Sequence, residues 1–526
     1  MTPGSLNALR RERELTALAG GERVDLVVVG GGVTGAGIAL DAAARGLSVA
    51  LVEAYDLAYG TSRWSSKLVH GGLRYLAKGD LALAHESAVE RGILLTRTAP
   101  HLTRAIPQLF PLYRKTSRGQ QAFIMTGLVA GDGLRRAAGT PASVLPRPRS
   151  IPAAEALALA PGLTPRGLRG ALLAYDGALT DDARLVVSLA RTAASRGAKI
   201  LTKVEALRLD AESVLARDRL TGQEIEIRAR QVINATGVWA GELTESVRLR
   251  PSRGSHLILA SGAARIGATS VNVPVPGENN RFVFLLPQPD GRVFVGVTDE
   301  PIDGAVPRVP SVPESDVDFL LEVASTAFTR PLTRADVAGS YAGLRPLIEG
   351  RGGLGSKPSS PLRAHRRSAD LSRKHAVVTG ADGVLTVVGG KLTTYRKMAE
   401  DAVDAALKRS GLLAGPSTTS RLPLLGATPR DRLSTVDAPA RLVAKYGTEA
   451  PRVAALGEVD PELGLPLFEG TEISAAEVVW AVRHEGALDV EDVLERRTRL
   501  GLVAPEAEAA RARVRELVDK SLTGLS

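Results

Sequence analysis

The sequence predicts an α/β fold in which a parallel sheet of Rossmann type alternates with an antiparallel sheet and is followed by a helical C-terminal region. Three observations lead there. An apolar run, a glycine turn, an alanine-rich helical stretch and a second apolar run follow one another from Val24 to Glu53. A hairpin pattern surrounds Pro289-Asp290-Gly291, which requires antiparallel pairing. Beyond "GLLAGPSTTS", at 411–420, the chain reads as a largely helical tail.

Taken in order, "RVDLVVVGGGVTGAGIALDAAARGLSVALVEA" opens with a buried-type strand at Val24 to Val29. A helix is expected from about Gly35 to Arg45, with Gly46 as its C-cap, and a second strand over Leu47 to Val52. Gly30, Gly32 and Gly35 form G-x-G-x-x-G, which allows a tight turn, close approach of a pyrophosphate, and close packing of helix on strand. Glu53, about 20 residues on at a strand end, suits an adenosine ribose. The unit therefore reads as a dinucleotide site. Downstream, "DDARLVVSLARTAASRGAKILTKV" predicts a helix and then a strand. "ALRLDAESVLARDRLTGQEIEIRA" predicts alternating strands turning at Thr221-Gly222. "ARQVINATGVWA" is another buried strand, broken at Ala235-Thr236-Gly237. "GVLTVVGGKLTTYRKMAEDAVDAALKRSG" repeats the opening pattern, with a long helix from about Thr393.

Composition narrows the classes. The 526 residues, 44% hydrophobic and 24% charged, have room for two or three domains of soluble type. With no cysteine, disulfides, thiolate metal sites, catalytic thiols and sulfur-tethered flavins are excluded, and no metal site is expected. The charged opening residues argue against an export signal, and no apolar stretch approaches bilayer-spanning length. The net charge of +10 is concentrated between Arg91 and Ser150, where ten Lys or Arg face one acid. A basic stretch of this kind suits an anionic membrane or a nucleic acid, or is simply a solvated face. Nucleic acid is disfavoured, because only Phe110, Tyr113 and Phe123 interleave with the cations.

The late strand–glycine–glycine–helix bears on which dinucleotide is held, although "VVGGKLTT" reads equally well as an ordinary strand-to-helix turn with its glycine pair and threonine cap. A nicotinamide enzyme gives no reason for it, whereas the longer FAD needs a second set of backbone groups at its ring. A helix N-terminus at Gly389-Gly390-Lys391 supplies positive potential there. Thr61, Ser62, Ser65 and Ser66 offer hydroxyls to the same cofactor.

The motifs "SSKLVHGGLRYL", "DDARLV", "INATGVW", "GSH", "YAGLRPL", "SRKH" and "GGKLTTYRKMAEDAVD", with the glycine-rich opening, occur in one order. Together they resemble the FAD-dependent glycerol-3-phosphate dehydrogenase family over residues of about 22 to 408, and more weakly through "HEGALDVEDVLERRTRLGL". The resemblance implies a Rossmann-like FAD-binding domain of the glutathione-reductase/D-amino-acid-oxidase type, with an interleaved antiparallel substrate domain, over 22–410. A C-terminal α-helical domain is expected over 421–526. It further implies oxidation of sn-glycerol 3-phosphate to dihydroxyacetone phosphate, with electrons passing to quinone, or to oxygen in a sister group. A homodimer, peripheral on the cytoplasmic face of the cell membrane, is the expected form.

Within those motifs, a phosphate clamp is expected from Arg345 and Arg373, with Arg74 and Lys391 nearby, because arginine forks grip phosphate in bidentate fashion. Tyr75 is a candidate for a substrate oxygen. Arg366 and Arg367 stand close enough in sequence to compete with Arg373 for the clamp, and Trp64 departs from many relatives. His256 is the first candidate for the base, as a neutral imidazole, with His70 its rival and a cationic side chain that acidifies the hydroxyl a further alternative. The expected cofactor contacts are Gly30, Gly32, Gly35, Glu53, Thr61, Ser62, Ser65, Ser66, Lys67, His70, Gly71, Ala235, Gly237, Gly390, Lys391, Leu392 and Thr393. An amine oxidase of the same fold is the competing enzyme class, but it calls for an aromatic cage and the chain is only 4% aromatic. The segment "RKTSRGQQAFIMTGLVAGDGLRR" is either a surface helix in the lipid headgroup layer or a buried helix with charged ends.

Overall fold

Apolar runs that must be covered on both faces build the centre of the molecule, and a computed structural model shows how; it describes residues 2–72, 76, 79–114, 116–278, 281–348 and 374–524. The strands of this sheet run in the order Ala376–Thr379, Leu385–Val388, Glu224–Asn234, Val24–Val29, Val49–Glu53 and Lys199–Thr202. All neighbours are parallel except the edge strand Ala376–Thr379. Alternate side chains separate the two cores. Leu26, Val28 and Leu51 meet the helices Val33–Ala44, Asp182–Ala194 and Tyr395–Ser410, while Val27, Val29 and Val52 meet the helix Ala8–Ala19.

The elements read from the sequence are present with shifted ends. The first glycine helix starts at Val33, two residues earlier than expected, because Gly32 serves as its N-cap in an extended conformation. The second strand begins at Val49, since Gly46 turns the chain with φ +84. The late helix starts at Tyr395, after a tight turn at Leu392–Thr394. Glu224–Asn234 unites two predicted pieces. Its first half pairs antiparallel with Ser213–Asp218, and its second half lies parallel to Val24–Val29, with Ala229 opposite Val24.

Two excursions from this sheet build the second, ten-stranded one. Thr103–Tyr113 pairs antiparallel with Leu168–Leu179, and Ser252–Leu259 lies between Val293–Gly296 and Val337–Arg345. The expected hairpin joins Phe282–Pro287 to Val293–Gly296. Leu109, Leu173, Leu257 and Val295 form its core.

The helix Arg118–Ala137 settles one alternative. Only Leu128 and Arg135 are buried along it, while Phe123 and Val129 are 52% and 56% exposed, so the reading as a buried helix is overturned. The charge of the basic stretch from Arg91 to Ser150 is also less uniform than the sequence suggests, because Arg91 pairs with Asp176 and Arg135 with Asp132. No described helix is long and apolar enough to cross a membrane.

The tail packs Ala475–His484 against Ala504–Thr523 around Val478, Val482 and Val514. Besides the apolar contacts of Leu424 and Val503, buried charges join it to the rest of the molecule. Asp56, with no exposure, accepts from Arg496 Nε at 2.6 Å and from both Arg497 terminal nitrogens at 2.8 and 2.9 Å. Arg184 binds Glu485, and Arg63 reaches Glu495 at 2.6 Å. The stretch 411–420, read as a linker, is fastened as well, since Ser417 and Thr419 donate hydroxyls to buried Asp41.

Burial alone would raise the Asp56 carboxyl, but the two arginines hold it down at about 2, below its ordinary 3.8. Its charge therefore contributes stability that is complete above about 4 and lost as pH falls through about 2. Asp56→Asn takes the shared carboxylate from Arg497 and leaves Arg496 only Asp492, and is expected to cost about 3–5 kcal/mol, because broken buried pairs do. Urea denaturation at pH 7 measures the loss, and a variant as stable as the parent would show that this contact does not hold the tail.

Candidate active site

Both glycine turns open into one cavity of about 920 Å³, lined from both sheets. Along one wall, backbone crowding explains the glycines. A Cβ on Gly35 would stand 1.9 Å from the Gly30 carbonyl oxygen, and one on Gly30, at φ +110, would stand 2.7 Å from Ala235 O. Helix and strand thus meet with no side chain between them, and the N-terminus of Val33–Ala44 faces the cavity through Gly32, Val33 and Thr34. Ser62 Oγ accepts from Val33 N at 2.9 Å at the same place. Glu53 accepts from Gly31 N at 2.6 Å and Tyr55 N at 2.9 Å, and burial pushes its carboxyl above its ordinary range despite these two donors. A long, narrow cradle of backbone N–H groups ending at a carboxylate fits FAD.

The far end is built by the second turn. Gly389 and Gly390 both have positive φ, +78 and +73, and a Cβ on Gly390 would meet Met398 Sδ at 2.4 Å. Only glycine satisfies both demands. The turn brings Gly390, Lys391, Leu392 and Thr393 to the cavity wall at the start of a helix, whose positive end faces inward.

Between these ends lie the chemical groups. His256, on Ser252–Leu259, shares a 2.8 Å hydrogen bond between Nε2 and Ser66 Oγ. Its ring stacks on Tyr341 at 4.7 Å, with Phe284 tilted at 6.0 Å. Burial, then the charges of Lys67 and Arg345, push its pKa down to about 3, so the imidazole is neutral throughout the working range. Arg345, at the end of Val337–Arg345, is held by Asp299 at 3.2 Å and by the Thr298 carbonyl at 3.1 Å. Gly254 makes room for it, because a Cβ there would stand 2.5 Å from Arg345 Nη2.

The structure therefore gathers most of the residues singled out from sequence. Gly30, Gly32, Glu53, Thr61, Ser62, Ser65, Ser66, His70, Gly71, Ala235, Gly237, His256, Arg345, Gly390, Lys391, Leu392 and Thr393 all border the cavity. Gly35 acts one layer behind it. Lys67 does not border it either, since its ammonium points inward onto Asp182 at 2.6 Å. Arg74, Tyr75, Arg366, Arg367 and Arg373 lie outside the described residues. Trp64 belongs to the wall, buried against Tyr341. Other lining residues escaped sequence reasoning. Tyr55, Val204 and Ala206 join Glu53 in the cavity wall, beside the pairing of Glu53 with Thr202. Trp239 and Tyr341 were visible only as letters inside "INATGVW" and "YAGLRPL", and nothing in spacing marks them as walls.

Residues 25–396 match the FAD dependent oxidoreductase family, and residues 417–523 match the C-terminal domain of alpha-glycerophosphate oxidase. The chain is 50% identical, over 98% of its length and 99% of theirs, to glycerol-3-phosphate dehydrogenase 1 of Mycobacterium tuberculosis and Mycobacterium bovis. It is 33% identical to the mitochondrial glycerol-3-phosphate dehydrogenase of Arabidopsis thaliana, over 95% of this chain and 83% of that one. Among solved structures, the FAD complex of the glycerol-3-phosphate dehydrogenase from Bacillus halodurans superposes with a TM-score of 0.72, covering 99% of this chain and 98% of that one at 26% identity. With the glycine cradle, the second turn and the cationic pocket in one cavity, these likenesses make the chain a member of the FAD-dependent glycerol-3-phosphate dehydrogenase family.

Proposed function

We propose that the enzyme oxidises sn-glycerol 3-phosphate to dihydroxyacetone phosphate and passes the electrons to a membrane quinone while resting on the membrane surface. The observation that carries the reaction is the convergence of Arg345, Lys391 and the neutral His256 on the one cavity that also holds the FAD cradle. Bound FAD supplies the two-electron acceptor for the hydride that leaves C2. The residues do the rest. Arg345 and Lys391 hold the phosphate, and Asp299 fixes the guanidinium so that its orientation is set before substrate arrives. The C2 hydroxyl loses its proton to His256 Nε2, directly or through Ser66. A dianion beside the imidazole opposes the two cations that depress it, so substrate itself strengthens the base.

The membrane part rests on the helix Arg118–Ala137. Phe123 and Val129 are exposed, Arg114, Arg118, Arg136 and Arg147 are exposed around it, and Phe123, Ile124, Gly127 and Leu128 border the cavity. An amphipathic helix that is at once outer surface and cavity wall suits a lipid-borne acceptor. Each basic residue near an anionic leaflet is worth about 1 kcal/mol, an attraction that salt screens.

Three outcomes are expected. Glycerol 3-phosphate bleaches the flavin without oxygen, whereas glycerol, lactate and simple amines do not; Arg345→Ala keeps its FAD but loses about 1.5–3 kcal/mol of transition-state binding, roughly 10- to 100-fold in kcat/KM. Parent-like bleaching by that variant would remove Arg345 from the clamp. His256→Asn slows flavin reduction by roughly 10²–10⁴-fold while product still binds. An unchanged rate would transfer the base to His70 or to no histidine. Liposomes with anionic lipid carry the enzyme upward in a flotation gradient at low salt and release it at high salt, and a soluble quinone outruns oxygen in turnover. Failure to float, together with rapid peroxide release, would make it a soluble oxidase.

A further inference from the structure

The underside of the loop from Thr61 to Gly71 rests on charges that do not border the cavity. Asp182, the first residue of the helix Asp182–Ala194 and wholly buried, accepts from Ser65 N at 2.9 Å, Ser65 Oγ at 2.7 Å and Lys67 Nζ at 2.6 Å. Lys67 also donates to the Arg63 carbonyl at 2.9 Å, with its backbone in the left-handed region at φ +57. Arg499 arrives from the C-terminal domain. It donates to the same Arg63 carbonyl at 2.6 Å, and its nitrogens stand 3.1 Å from Asp181 and 3.7 Å from Asp182. On the upper side of the loop, Tyr341 OH donates to the Ser65 carbonyl at 2.9 Å, and Ser66 bonds His256. The lysine ammonium also lies 5.1 Å from the Tyr341 ring.

We propose that Asp182, Lys67 and Arg499 are positioning residues for the redox site, locking the Ser65–Ser66 corner and through it the hydrogen bond to His256, so that the C-terminal domain is a working part of the flavin pocket. The proposal rests on the reading of His256 as base, and its test separates the two. One carboxylate holds three donors from two residues of the loop, Ser65 and Lys67, and one carbonyl receives both cations. Donors shared this closely by one carboxylate and one carbonyl favour a single arrangement of the corner. If the ammonium becomes neutral, Asp182 keeps a buried charge with less to balance it, and the corner loosens.

The lysine makes the arrangement readable by pH. Burial first, and then Arg499, lower Lys67 to about 8, while Asp182, Asp181 and its hydrogen bond to Asp182 oppose them. Lys67 is therefore cationic below about 8 and neutral above, and His256, being neutral throughout, does not titrate alongside it. The Tyr341 phenol is held well above 10 by burial and does not either.

The experiment is anaerobic flavin reduction by glycerol 3-phosphate from pH 6 to 10, on holoenzyme whose FAD content and Tm have been matched. The parent rate is expected to fall on the alkaline side with an apparent pKa of about 8. Asp182→Asn removes the group that supports the ammonium and moves this limb to lower pH, by at least about one unit. Arg499→Gln removes a repelling charge and moves it to higher pH; Arg499→Lys restores the parent limb. Lys67→Arg, charged across the range, abolishes it. Shifts in opposite directions with FAD retained establish the role, because a general loss of packing moves no limb in a chosen direction. A limb that Asp182→Asn, Arg499→Gln and Lys67→Arg all leave unmoved, or rates that follow FAD loss alone, overturns it. If the limbs shift as described but His256→Asn reduces flavin like the parent, the positioning stands and the base reading falls.

Discussion

The join between the cofactor-binding sheet and the C-terminal tail turns on the neutralisation of Asp56. The carboxylate sits three residues beyond Glu53 at the cavity wall, in the turn that leaves the second parallel strand, and is wholly removed from water. A lone charge there would be intolerable, and the two consecutive arginines that answer it come from the far end of the chain. Arg496 is in turn shared with Asp492, whose own carboxyl is pushed up to about 6 by burial and by the charge of Asp56. A cofactor turn and a tail more than four hundred residues away are thereby made into one electrostatic unit.

The cavity shows the same economy of means. Its two ends are made by one device, a strand, a glycine turn and a helix start, used twice in the chain. Between them the antiparallel sheet presents Arg345 and a stacked imidazole, which burial first, and then the charges of Lys67 and Arg345, depress. On the proposed reading, Arg345, which would bind a phosphorylated substrate, also adds to what burial does to the imidazole.

Much of this was legible in the letters. Gly30, Gly32, Gly35 and Glu53 announce their roles because spacing alone fixes a strand, a helix and an acid at the strand end. Gly389-Gly390-Lys391 follows by the same logic, and the hairpin at Pro289-Asp290-Gly291 by its turn chemistry. Lys67 is the instructive exception. Its place in a cofactor motif points to the cavity, yet its left-handed backbone turns the ammonium inward to Asp182, and conformation at a single residue is invisible to pattern. Tyr55, Val204 and Trp239 were equally hidden, since they line the cavity only because strands distant in sequence lie side by side. The exposed character of Arg118–Ala137 could not be read from its apolar cluster, because whether a face is covered depends on what packs there.

The strand Glu224–Asn234 carries a consequence for how the chain comes into being. Its flank in the parallel sheet, Leu385–Val388, is made some 150 residues later, and the second antiparallel excursion lies in between. During synthesis, residues 229–234 therefore pair on one side with Val24–Val29 while their other edge waits with bare N–H and C=O groups. Pairings at such sequence distance form slowly, and an unpaired apolar edge is a template for the wrong neighbour. The tail that closes the charge network comes later still. Nascent chains of this protein are accordingly expected to need shielding until the last hundred residues have left the ribosome, a demand imposed by strand order rather than by any weakness of the finished fold.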